Sequence, residues 1–145
     1  METLLISACL LGANCKYNGG NNALPPEVLE RLRQRYRLIP VCPETAGGLP
    51  IPREPSERRG RRVISRSGQD VTAAFRKGAG IAAALAERFG AEKALLKSNS
   101  PSCGSGTIYD GSFSGILTAG DGLAAEYLKR KKVDIFHDFL ELFPD

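Results

Sequence analysis

The sequence predicts an α/β fold: an open, mostly parallel, Rossmann-like sheet flanked by helices, formed as a single domain over residues 1–145. Three observations predict it. Short apolar runs alternate with amphipathic stretches along the chain. The first 42 residues read strand–helix–strand, the right-handed crossover unit of a parallel sheet. Cysteines fall at or just past the ends of the expected strands, the edge on which such sheets bind their ligands.

The elements follow in order. Residues 4–8 form a continuous apolar-rich run that ends at Cys9 and reads as a buried strand. A loop rich in glycine and asparagine occupies residues 12–22. Pro25 and Pro26 stand where a helix can begin, because proline lacks only an amide that the first turn leaves unpaired. Val28, Leu29 and Leu32 give that helix an apolar stripe. Residues 38–41 are a second apolar strand, ending at Cys42. From 43 to 57 proline and glycine dominate and no regular element is expected, while residues 62–65 suit a short edge strand.

Residues 70–89 carry the strongest helical pattern. Val71, Ala74, Phe75, Gly78, Ile81, Ala82, Leu85 and Phe89 recur at steps of three and four, with Asp70 placed to cap the helix and Gly90 to end it. Residues 93–96 make a third strand, running into the segment that carries Cys103. Tyr109-Asp110-Gly111 is a hairpin signal. Asp121 stands to cap a helix through Lys131, residues 133–136 make a fourth strand, and a short helix follows.

Composition narrows the class. At 145 residues, with 42% hydrophobic and 25% charged residues, the chain can build a core without disulfides or structural metal. No apolar run approaches the ~18 residues of a membrane span. The opening Met-Glu-Thr-Leu-Leu-Ile has no basic leader, so a cytoplasmic protein is expected, with its four cysteines reduced. A net charge of +4 is a mild bias. Arg53, Arg58, Arg59, Arg61, Arg62 and Arg66 cluster in one stretch, either as a solvated loop or as a contact for an anion or RNA.

The chemistry-bearing pattern is the placement of the thiols. Cys9 ends the first strand, Cys42 ends the second, and Cys103 lies seven positions beyond Leu96. In a parallel sheet these ends share one edge, so three distant cysteines can meet around one centre. The chain has no C-x-x-C pair, and its one histidine, His137, reads as a surface residue. An all-thiolate site suits zinc or an iron–sulfur cluster. A closed zinc site wants four ligands, and Cys15 can supply the fourth; a cluster held by three leaves one iron open. Glu44 puts a carboxylate beside the centre, and an apolar cleft there would make it a proton carrier. Ser100 and Ser102 add hydroxyls just before Cys103.

Beyond the spacing, the chain resembles a bacterial family known as domain-of-unknown-function family 523, which contains the thiouracil desulfurases. The resemblance rests on Ser7-Ala8-Cys9-Leu10-Leu11-Gly12 and Asn14-Cys15-Lys16-Tyr17-Asn18-Gly19-Gly20. It continues through Pro40-Val41-Cys42-Pro43-Glu44, Gly47-Gly48-Leu49-Pro50, Pro52-Arg53 and Gly68-Gln69-Asp70-Val71-Thr72. Further on come Leu96-Lys97, Ser100-Pro101-Ser102-Cys103-Gly104, Ile108-Tyr109-Asp110-Gly111 and Gly120-Asp121-Gly122. It implies an oxygen-labile 4Fe–4S cluster on Cys9, Cys42 and Cys103, with Glu44 as acid/base and Ser100 assisting. The implied reaction is non-redox hydrolysis of a C–S bond in a thiolated pyrimidine such as 2-thiouracil, the substrate sulfur meeting the iron that lacks a protein ligand. Cys15 also lies in a matching block and competes for a ligand role. Lys16 and Asn18 stand where arginine and aspartate are the commoner pair. The substrate expected is a small thiolated base, with thiolated tRNA as a further candidate.

Two rivals remain open on the residues alone. One is a zinc-stabilised module that holds RNA through its arginines. The other is a cluster-free thiol enzyme with Cys103 or Cys9 as nucleophile.

Overall fold

The computed structural model describes residues 1–143. Strand β1 (Glu2–Ser7) continues into a single 3-10 turn, Ala8–Leu11, which Gly12 closes at φ 96°, a left-handed conformation suited to glycine. Helix α1 (Pro26–Arg35) starts on the expected proline and passes without a break into β2 (Tyr36–Val41). Strands β5 (Lys93–Leu95) and β8 (Asp134–Phe136) complete a four-stranded sheet of order β2-β1-β5-β8 in which every pairing is parallel. The α/β class and the open parallel sheet are as the sequence predicts.

Alternation along β1 builds the two layers. Leu4 and Ile6 face α1 and pack with Val28, Leu29, Leu32 and Tyr36. Leu5 points to the other face, among Phe75, Ala79 and Ala82 of helix α3 (Thr72–Phe89) and Leu123, Ala124 and Leu128 of helix α4 (Leu123–Arg130). The chain leaves β1 toward β2 on one side and reaches β5 on the other. The order therefore reverses at β1, and the crevice at its carboxyl end is where this architecture places a ligand. Pro40 is tolerated because β2 is an edge strand.

Several local expectations are corrected. Residues 43–57 do contain regular structure: a short helix α2 (Pro43–Ala46) and strand β3 (Ser56–Arg59). Proline at the first position starts α2. A Cβ on Gly47 would stand 2.0 Å from the Ala74 carbonyl oxygen, and one on Gly78 would stand 1.7 Å from that of Pro43, so two glycines let α2 lie directly on α3. Strand β3 has no apolar alternation; it exists through its antiparallel ladder with β4 (Arg62–Ser65), which forms a separate hairpin rather than an edge of the main sheet. A second hairpin pairs β6 (Thr107–Tyr109) with β7 (Leu117–Ala119), its loop longer than a tight turn at Tyr109-Asp110-Gly111.

The caps also differ. Val71, not Asp70, is the N-cap of α3; Asp70 acts from one residue earlier, its Oδ1 accepting the Thr72 N–H at 2.9 Å. Gly122 caps α4 while Asp121 turns away to accept from Gly106 N–H and pair with Lys129. The first amides of α4 instead donate to the carbonyls of Pro101 and Ser102, at 2.9 and 3.1 Å. The closing helix is a 3-10 turn, Phe139–Leu142, capped by Asp138. Among the described residues, no helix is long and apolar enough to cross a membrane.

Candidate active site

The ends of β1, β2 and β5 open into a cavity of about 460 Å³. Cys9 enters it from the 3-10 turn after β1, Cys42 from the N-cap of α2 just after β2, and Cys103 from the loop that follows β5. Cys15, on the loop after the 3-10 turn, lines the same cavity. Glu44 and Ser100 are on its wall as well. All four cysteines are free thiols.

Each sulfur has distinct neighbours. Ser7 is almost wholly buried; its hydroxyl accepts the Lys97 N–H at 3.0 Å and donates to Cys103 Sγ at 3.4 Å. Asn22 Nδ2 donates to Cys9 Sγ at 3.5 Å. Cys42 Sγ lies 3.8 Å from the carbonyl oxygen of Cys15.

Burial pushes the Cys103 thiol up to about 12, against the hydrogen bonds from Ser7 and Ser102. Burial, reinforced by the neighbouring Cys42, pushes Cys15 up to about 12 as well, and burial raises Cys9. A nucleophilic cysteine needs the opposite shift, so the arrangement disfavours a free attacking thiolate. Thiols raised by desolvation ionise readily only against a cationic core. Among the described residues, no three His, Cys, Asp or Glu side chains come close enough to hold a single metal ion. Thiols spread around a cavity of this size, with no other soft donor, fit the polynuclear iron–sulfur group better than one zinc.

Glu44 is held from both sides. Arg53 Nε donates to Oε1 at 3.0 Å, and Ser102 Oγ donates to Oε2 at 3.0 Å. The expectation of an apolar cleft around Glu44 is therefore corrected: a guanidinium faces it, and the same group donates to the Cys15 and Pro50 carbonyls. Ser100 does not touch the carboxylate. Its oxygen accepts the Cys103 N–H at 2.7 Å and lies 3.3 Å from Ser102 Oγ, so the hydroxyls run Ser100–Ser102–Glu44.

Ser7, Asn22 and Lys97 join the cavity wall without having been singled out by the sequence, Arg53 stands there only as one of a cluster of arginines, and Ser102 gains weight from its contact with Glu44. Ser7, Arg53 and Lys97 lie inside the motif blocks that carry the family resemblance, whereas nothing in the sequence marks Asn22. His137 is half-buried rather than on the surface. Its Nδ1 meets the Leu96 carbonyl at 2.7 Å and its Nε2 accepts the Ser105 N–H at 2.9 Å, stapling both ends of the segment that carries Cys103. Lys16 lines the cavity, whereas Asn18 is exposed and accepts from Gly20 N–H, a turn contact that aspartate can make equally.

The arginine cluster is not one patch. Arg53 is taken up by Glu44, Arg58 by Glu126 and the Asp121 carbonyl, and Arg59 by the Gly111 carbonyl. Arg66 stands at the cavity mouth near Phe113. Tyr109, Phe113 and Gly115 from the β6–β7 hairpin, with Ser56 and Glu57 from β3, complete that mouth. Glu57 ties the two hairpins together by accepting from Gly111 and Phe113 N–H.

A parallel-sheet domain with thiols and a clamped carboxylate at its switch point defines a class, and comparison places the chain within it. Residues 4–138 match the 2-thiouracil desulfurase family, and the chain belongs to that family. It is similar to the uncharacterized protein YbbK of Bacillus subtilis (strain 168), at 39% identity over 137 residues, covering 88% of this chain and 89% of YbbK. It is also similar to a solved structure of the [4Fe-4S]-dependent thiouracil desulfidase TudS: TM-score 0.89, 45% identity, 94% of this chain and 90% of the other covered.

Proposed function

We propose that the protein is a thiouracil desulfidase that carries a 4Fe–4S cluster on Cys9, Cys42 and Cys103 and removes sulfur from a thiolated pyrimidine by hydrolysis. The observation that carries this reading is the meeting of thiols from three strand ends around one cavity whose wall also presents Glu44. Membership of the desulfurase family and the likeness to TudS support it.

The reaction exchanges sulfur for oxygen without net electron transfer: thiouracil and water give uracil and hydrogen sulfide. When bound, the cluster supplies a soft Lewis acid that matches a thiocarbonyl sulfur and draws electrons from the C–S bond. The chain's own residues do the rest. Glu44, oriented by Arg53, accepts a proton from the attacking water as the new C–O bond forms, and returns it to the departing sulfur as the C–S bond breaks. Ser102 and Ser100 extend that proton path from Glu44 along the cavity wall. Tyr109 and Phe113 at the mouth offer flat apolar faces to a pyrimidine ring.

Anaerobic reconstitution followed by iron and acid-labile sulfide assays tests the cofactor, and sulfide and uracil release from 2-thiouracil tests the reaction. A brown protein that forms both products is expected. Iron-free protein after reconstitution, or loaded protein inert toward thiolated pyrimidines, refutes the reading.

A further inference from the structure

Two of the cavity's sulfurs have a side-chain donor built against them. Ser7 ends β1, and its hydroxyl oxygen accepts the N–H of Lys97, just past β5, at 3.0 Å. Since an N–H accepts nothing, the hydroxyl proton is left for Cys103 Sγ, 3.4 Å away, and both residues are buried. Asn22 is held over Cys9 at two points: its backbone N–H donates to the Cys9 carbonyl at 3.0 Å, and its Nδ2 donates to Cys9 Sγ at 3.5 Å. Cys42 Sγ lies instead against an acceptor, the Cys15 carbonyl, at 3.8 Å.

We propose that Ser7 and Asn22 are positioning residues that act through Cys103 and Cys9, drawing electron density from these two sulfurs so that the cluster they hold is a stronger Lewis acid toward a thiocarbonyl. This rests on the cluster reading above. A thiolate on iron carries the charge against which a hydrogen bond strengthens, whereas a neutral thiol gains little from the same donor. Density withdrawn from the sulfurs is density the iron lacks, and hydrogen bonds to the cysteine sulfurs are one of the levers that set a cluster's potential. The two residues thereby serve a reaction that moves no net electrons: they make the iron without a protein ligand more receptive to a soft donor.

The test is the midpoint of the cluster's one-electron reduction, titrated anaerobically on reconstituted protein. Iron and acid-labile sulfide content are measured beside it, and folding is checked by circular dichroism. Ser7→Thr and Ser7→Val share one shape and differ in the hydroxyl, and both should load iron within about two-fold of wild type. Ser7→Val should lower the ratio of reduced to oxidised cluster at a fixed potential by about ten-fold, ~59 mV for one electron, and Ser7→Thr should restore it. Asn22→Leu is an independent arm and should lower the ratio by a similar factor. A loaded Ser7→Val or Asn22→Leu variant with the wild-type midpoint overturns the assignment of its residue while leaving the cluster reading intact. A folded variant that stays empty shows a structural role and overturns it too; iron-free wild type overturns both readings. A second measurement needs no variant. The iron–cysteine sulfur stretching bands of wild type, read by resonance Raman, should shift when the protein is reconstituted in D2O, because the donors' protons exchange. Bands unchanged from those in H2O overturn the proposal.

Discussion

Arg53 and Glu44 meet at 3.0 Å, Nε to Oε1, with 7% and 17% of their side chains exposed. The pair fixes which carboxylate oxygen is left for other work. With Oε1 held by the guanidinium, Oε2 faces Ser102 and the cavity. Removing the arginine would leave a half-enclosed charge uncompensated and free to turn. Arg53→Leu should therefore lower kcat by roughly 10²-fold with a much smaller change in KM. Arg53→Lys keeps the charge but not the fork and should recover only part of the loss. Steady-state kinetics on cluster-loaded protein check this; a pure KM effect would contradict it.

Ser102 and Ser100 separate by their partners. Ser102→Ala cuts the only hydroxyl contact to Glu44 among the described residues, whereas Ser100→Ala leaves that contact and instead strips the Cys103 amide of its acceptor. The first should reduce kcat by about 10-fold or more with iron content intact. The second should lower cluster retention, read as faster iron loss to a chelator. Equal effects of both variants on both readouts would argue against distinct roles.

The contact of α2 with α3 sets the position of Cys42 and Glu44. A methyl group at Gly78 meets the Pro43 carbonyl at 1.7 Å, so Gly78→Ala must push α2 outward. Overpacking of this kind destabilises by about 1–3 kcal/mol. Denaturant midpoints should drop accordingly, and activity should fall further than stability alone explains because Glu44 moves with the turn. Gly80→Ala, where an added Cβ meets nothing within 4 Å, is the control.

Cluster-free protein should lose stability in alkali. Burial raises the Cys103 thiol from 9.0 to about 12. A group raised on folding adds stability that is fully present below its unfolded value and is lost as pH climbs through the folded one. Between pH 9.0 and about 12 the unfolded chain gives up this proton while the folded chain keeps it. The total loss is on the order of 4 kcal/mol for Cys103, at about 1.36 kcal/mol per pH unit. Urea midpoints measured across that window should decline, and Cys103→Ala should flatten the slope. A wild-type profile without slope would refute it.

Much of the scaffold was legible because local pattern and tertiary role agree. Apolar runs broken at Cys9 and Cys42 gave β1 and β2 and put both thiols at the correct edge, and the three-four spacing ended by Gly90 gave α3. What was missed depends on partners remote in sequence. Asp121 looks like a helix cap until the carbonyls of Pro101 and Ser102 arrive to satisfy the same amides. Ser56–Arg59 has no strand pattern and is a strand only beside β4. Arg53 was hidden in a run of like charges, where composition says nothing about which member finds the half-buried Glu44. His137 lacked any local signal, since both of its partners lie on segments about 30 or 40 residues away.

The two hairpins that frame the opening have a further consequence. Their ribbons lie outside the parallel sheet, and no thiol is carried on them. Side chains such as Phe113 or Arg66 can be exchanged without shifting any strand that delivers sulfur to the floor. On the proposed function, admission and reaction fall to separate pieces of backbone, so what is let in can change while what happens beneath stays the same.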